Sequence, residues 1–98
     1  MEDLAFQDSI FRNFTKPDGR LKSMPSQKKK KLVVLEYLIQ KLDPAKAYNE
    51  KDVNEFIKQF HEDFCTIRRE FVINGFVTRE NSVYTVNEKE KWNKWQDL

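Results

Sequence analysis

Residues Asn49 to Val86 read NEKDVNEFIKQFHEDFCTIRREFVINGFVTRENSVYTV. The first third of this stretch places Val53, Phe56, Ile57 and Phe60 on one stripe, the i, i+3, i+4, i+7 spacing of a helix with one buried face. His61 to Asn74 forms a second helical stretch that Gly75 closes in a left-handed conformation. Phe76-Val77-Thr78-Arg79 and Val83-Tyr84-Thr85-Val86 then alternate as two β runs around the turn Glu80-Asn81-Ser82. Helix, short joint, helix and hairpin is the order of a winged helix-turn-helix, which offers its second helix as a rod to a DNA major groove.

Asn49 can cap the first of these helices, and Glu50 and Asp52 stand in its first turn where the helix dipole favours acids. The residues around Tyr48 are expected to form a first strand that pairs with the wing. Upstream, Ser26 to about Leu42 reads as the most apolar helix, with Ser26 as N-cap and Leu32, Leu35, Leu38, Ile39 and Leu42 inward. It is the expected central helix, ended by Asp43-Pro44 because the residue before a proline is pushed out of helical geometry. Leu4, Phe6, Ile10, Phe11 and Phe14 mark an amphipathic first helix over about 3–14, followed by a Pro17-Asp18-Gly19 turn. Residues 88–97 read as a further helix with Trp92 and Trp95 on one face. The expected architecture is one mainly α (α+β) domain over 1–98. Its core covers about 15–86, with a two- or three-stranded wing sheet and extra helices at both ends.

Composition bounds the function. Ninety-eight residues with eight Phe, two Trp and three Tyr supply enough apolar bulk for one small core. No apolar run approaches the roughly 20 residues that span a bilayer. The acidic Met1-Glu2-Asp3 start lacks the basic and apolar regions of a signal peptide, and the single Cys65 forms no internal disulfide. A cytoplasmic location is therefore expected. With one histidine, one cysteine and only Gly19 and Gly75 as glycines, neither a zinc site nor a phosphate-cradling glycine loop is expected. Nor do the carboxylates show the spacing of an acid–base pair. No cofactor, no metal and no enzymatic activity are expected.

Charge is unevenly spread within a net of +2. Lys16 to Lys31 holds seven basic residues against Asp18, whereas Asn49 to Asp63 holds five acids against two lysines. The basic segment, Arg20, Lys22 and Lys28, Lys29, Lys30 and Lys31, supplies candidate phosphate contacts. Lysines in a first helical turn oppose the dipole, which argues for a compensating use. On a helical wheel of the second motif helix, Phe64, Ile67, Phe71 and Val72 share one arc and Glu62, Thr66, Arg69 and Ile73 the other. Thr66 and Arg69 are thus the candidate base-reading side chains, with Arg79 on the wing. Arg68 falls beside the buried arc. Its expected role is structural, the head meeting a carboxylate of the preceding acidic helix.

The ordered set Asp18-Gly19-Arg20-Leu21, Pro25, Lys30-Lys31, Leu35, Tyr48-Asn49-Glu50, Val53-Asn54, Asp63, Ile67-Arg68-Arg69-Glu70, Gly75-Phe76 and Arg79 resembles a bacterial domain of unknown function, family twenty eighty-seven. The resemblance spans roughly Phe14 to Tyr84, and Ile67-Arg68-Arg69 is its most specific part. Members resemble stand-alone small proteins or C-terminal modules behind helix-turn-helix regulators. This implies a cytosolic, regulator-associated domain and no reaction. The chain departs from the pattern at Gln27, at Phe71 and in a wing tip without glycine, where acidic Glu80 argues against minor-groove insertion. Two functions compete. One is a non-enzymatic transcription regulator binding double-stranded DNA. The other is a protein-interaction or homodimerisation module of a regulator complex, favoured by Glu62, Glu70, Glu80 and an exposed Ile73.

Overall fold

The computed structural model describes the backbone of residues 2–97 and the side chains of residues 5–97. Among these, the chain forms helices α1 (Glu2–Phe14), α2 (Lys28–Ile39), α3 (Glu50–Lys58) and α4 (Phe64–Ile73), and strands β1 (Ala47–Asn49), β2 (Val77–Glu80) and β3 (Val83–Val86). It is a small mixed α+β domain. The Leu4 side chain, assigned above to the inward face of α1, lies outside the described residues.

Helix α2 is central because its sequence from Leu32 on is apolar nearly all round. Leu32, Val33, Val34, Leu35, Leu38 and Ile39 are all buried, a pattern found only where a helix is covered on most sides. Each such side chain contributes about 1.5–3 kcal/mol of burial. On one side α1 closes over α2, with Phe11 against Tyr37 at 5.0 Å between ring centroids. On another side Ile57 and Val53 of α3 and Ile67 and Phe71 of α4 complete the core.

The sheet is antiparallel in the order β1-β3-β2. Tyr48 faces Tyr84 across one ladder, and Arg79 faces Tyr84 across the other. Cross-strand partners share a face, so Tyr48, Tyr84 and Arg79 all project toward the helices. The hairpin turns through Asn81 (φ 53°) and Ser82 (φ 64°), a two-residue loop with both residues left-handed, as hairpin twist favours.

Several boundaries differ from the sequence reading. Helix α2 starts at Lys28 behind an extended Gln27, not behind a Ser26 cap, and Gln27 makes no side-chain capping bond. It ends at Ile39. The turn to Leu42 is tightened by i to i+3 bonds from Lys41 to Leu38 (3.1 Å) and from Leu42 to Ile39 (3.1 Å), the usual way a helix end satisfies its last carbonyls. Helix α4 begins at Phe64 rather than His61 because the Asp63 carboxylate takes the Thr66 amide. The His61 ring, in turn, accepts the Asp63 amide at 3.0 Å. The Asn49 cap is found as expected, accepting the Asp52 amide at 2.7 Å.

The largest difference is at the end of the chain, where two 3-10 turns, Lys89–Lys91 and Trp95–Asp97, replace a continuous helix. A helix would aim Trp92 and Trp95 at one partner, but they serve two. Trp92 packs on Phe76 and Trp95 on Phe6, each at 5.2 Å. Between them Asn93 is pinned to the end of α4, its amide on the Asn74 carbonyl (2.9 Å) and its side chain on Asn74 Oδ1 (3.0 Å). These tethers outweigh local helix propensity.

Candidate anionic-ligand surface on α4

Helix α4 rests on the core through Ile67 and Phe71 and leaves its opposite face open. Thr66, Arg69 and Ile73 are exposed there, Ile73 at 72 %. Arg69 has no carboxylate partner among the described residues; Glu70, one candidate for it, turns to Lys31 instead at 3.3 Å. Val72, placed by the wheel on the buried arc, is 37 % exposed. The core takes only the narrower Ile67–Phe71 stripe, and Val72 falls on the rim of a cleft.

That cleft, about 310 Å³, lies where α4 meets the start of α3 and the inner face of the sheet. Arg68 and Arg69 reach it from α4 and Arg79 from β2, beside Glu50 and Tyr84. Glu50 is its pivot. As the first residue of α3 its carboxylate is favoured by the helix dipole. Glu50 Oε1 accepts from Tyr84 Oη at 2.8 Å and stands 3.8 Å from both Arg68 Nε and Arg79 Nε. Arg68 also donates from Nη1 to Asn54 Oδ1 at 2.5 Å. The expected structural role for Arg68, with its head meeting a carboxylate of the helix before it, is therefore found. Burial raises the pKa of the Tyr84 phenol above its ordinary value, aided by its bond to the Glu50 carboxylate and by that carboxylate's charge; Arg68 and Arg79 pull the other way.

The remaining candidate residues are dispersed. Arg20 Nη1 donates to the carbonyls of Lys58 (3.1 Å) and Gln59 (2.8 Å), so it caps the end of α3. Lys22 is exposed on the loop beside His61 and Glu62. Of the lysine run, Lys28 is exposed, Lys29 lies 5.0 Å over the Phe6 ring, Lys30 is half-buried near Phe14, and Lys31 is paired with Glu70. On α4, Glu70 and Arg68 lie on opposite flanks, so Lys31 approaches one flank and the arginine cleft opens on the other. The structure thus brings Arg69 and Arg79 together, with Arg68, and separates them from Lys28 to Lys31.

Sequence reasoning missed Glu50 as the organiser of the cleft and Arg20 as a cap. Glu50 carried one local signal, its place just after a capping Asn49. Arg20 carried none, since its acceptors lie 38 and 39 residues away.

Residues 20–86 match the model of the family described as "Uncharacterized protein conserved in bacteria (DUF2087)", and the chain belongs to that family. Neither the curated proteins nor the solved structures contain a match to it. Among the described residues no helix is long and apolar enough to cross a membrane.

Proposed function

We propose that this member of the family is a non-enzymatic winged helix-turn-helix module that binds double-stranded nucleic acid in transcription regulation, with α4 as the inserted helix. The order α2, β1, α3, α4, β2, β3 and a sheet ordered β1-β3-β2 support the winged-helix reading. The observation that carries the functional reading is the uncovered row Thr66, Arg69 and Ile73 on α4, with Arg69 free of any carboxylate among the described residues. Ten residues make a rod about 15 Å long, of a thickness that a major groove about 12 Å wide admits. The hairpin tip from Glu80 to Ser82 carries no basic side chain, so contact is assigned to α4 rather than to the wing.

Fluorescence anisotropy with mixed-sequence duplex at low and moderate salt tests this. The expected result is binding that weakens as salt rises, with Arg69→Ala altering sequence preference. No binding at low salt, where attraction between charges is strongest, refutes it.

The exposed Val72, Ile73 and Val83 favour a second reading, a protein-interaction or dimerisation module of a regulator complex. Sedimentation of the purified chain as a monomer across concentrations, with no co-purifying partner, counts against it.

A further inference from the structure

The geometry points to the cleft between α4 and β2 as a seat for one phosphate group, held by Arg68, Arg69 and Arg79. The ligand is a phosphate ester whose apolar body rests on Val72 and Ile73. This inference stands apart from the nucleic-acid reading: a phosphate monoester carries close to two negative charges and a backbone diester one, so duplex is a separate arm of the test.

Three arginines and one carboxylate line this cleft. Glu50 neutralises one of them and leaves two positive charges uncompensated, the charge of a phosphate monoester with opposite sign. Most of the donors are also unspent, Arg68 Nη1 on Asn54 excepted. Glu50 lies near only the Nε atoms of Arg68 and Arg79, at 3.8 Å, longer than a good charge-assisted bond. The Nη groups of Arg79 and all of Arg69 have no acceptor among the described residues. Guanidinium forks match phosphate oxygens two at a time, which is why clusters of arginine recognise this anion.

The scaffold holds these groups ready. Arg68 is fixed by Asn54 and Glu50 and is mostly buried, and Arg79 projects from a strand paired along its whole length with β3. The volume, about 310 Å³, is at the lower end of small-ligand clefts, about 300–1,000 Å³. On the rim, Val72 and Ile73 are 37 % and 72 % exposed, apolar surface that an ester's organic part would cover and a bare ion would not. Glu50 acts as a place-holder. It keeps the two flanking guanidiniums apart and aligned, at the cost of repelling an incoming anion.

The test is nuclear magnetic resonance of arginine Nε–Hε groups in the intact chain, titrated with inorganic phosphate, with phenyl phosphate, and with a short duplex, at ionic strength held constant with chloride. Saturable shifts at Arg68, Arg69 and Arg79 are expected with both small probes, phenyl phosphate binding more tightly. Arg79→Gln should weaken binding about tenfold, the loss of one charge-assisted contact. Glu50→Gln should tighten it, an outcome that a purely structural carboxylate would not give. Displacement of phenyl phosphate by duplex assigns the seat to a backbone phosphate. Phenyl phosphate binding without duplex binding supports the site and ends the nucleic-acid reading alone. Shifts no larger than those from chloride overturn the proposal, and equal affinity for the two small probes overturns the role of Val72 and Ile73.

Discussion

Replacing Gly75 with Ala tests how the presented helix is held in place. Gly75 follows α4 with φ +78°, and a Cβ added there would lie 2.3 Å from the Lys91 carbonyl oxygen and 3.3 Å from its carbon. The left-handed conformation alone costs an alanine about 1–2 kcal/mol. The clash is with backbone, so the segment from Lys91 must move, and Asn93 with it. Asn93 gives Asn74 both an amide and a side-chain bond. Asn74 is only 5 % exposed, so losing those donors adds about 1–3 kcal/mol. The expected cost is about 2–5 kcal/mol, a large part of the roughly 5–15 kcal/mol that holds a domain of this size.

Gly19→Ala is the internal control. Its φ is +91°, yet the nearest atom to a Cβ is the Tyr37 hydroxyl at 3.8 Å, so only the backbone penalty applies. Urea denaturation of both variants, read by tryptophan fluorescence and circular dichroism, gives the comparison. Gly75→Ala should lose about twice the stability of Gly19→Ala or more. Equal losses would refute the claim that the C-terminal segment buttresses α4.

Further outcomes follow from other contacts. Ser82→Gly should stabilise the chain by about 0.5–1 kcal/mol, since Ser82 is left-handed at φ 64° and Asn-Gly is the favoured pair in such a turn; an unchanged urea midpoint would contradict this. Arg20→Ala should cost about 1–2 kcal/mol through the carbonyls of Lys58 and Gln59, with Arg20→Lys restoring only part, because an ammonium lacks the guanidinium fork. The raised pKa of Tyr84 means that the folded state holds its proton more tightly than the unfolded state. Its contribution to stability is therefore complete below the ordinary value of 10.0 and is lost as pH rises through the higher folded value. Denaturation midpoints of the parent should fall more steeply as pH rises past 10.0 than those of Tyr84→Phe, and identical slopes would count against the raised Tyr84 pKa.

Local patterns in the sequence were legible where the forces are local. The stripe Val53–Phe56–Ile57–Phe60 placed α3, Asn49 placed its start, and alternation on either side of Glu80-Asn81-Ser82 placed the hairpin. The inward set Leu32, Leu35, Leu38, Ile39 and Leu42 marked the central helix before any partner was known. Arg68 was readable because a wheel position beside the buried arc, next to an acidic helix, leaves a guanidinium few other partners.

What escaped was long-range. Lys31 reads as part of a free basic run until Glu70, 39 residues on, is folded against it. Residues 88–97 have helical spacing, but Asn74, Phe76 and Phe6 pull them into separate turns. The cleft was invisible because Glu50, Arg68 and Arg79 share no segment, and only the pairing of β3 with both neighbours brings them together.

The most direct measurement is a backbone and arginine side-chain resonance map of the labelled chain titrated with duplex. The account predicts a contiguous footprint on Thr66, Arg69, Ile73 and Arg79, with Lys28 to Lys31 shifted little. A footprint centred on the lysine run, or none at all where salt is low, would contradict it.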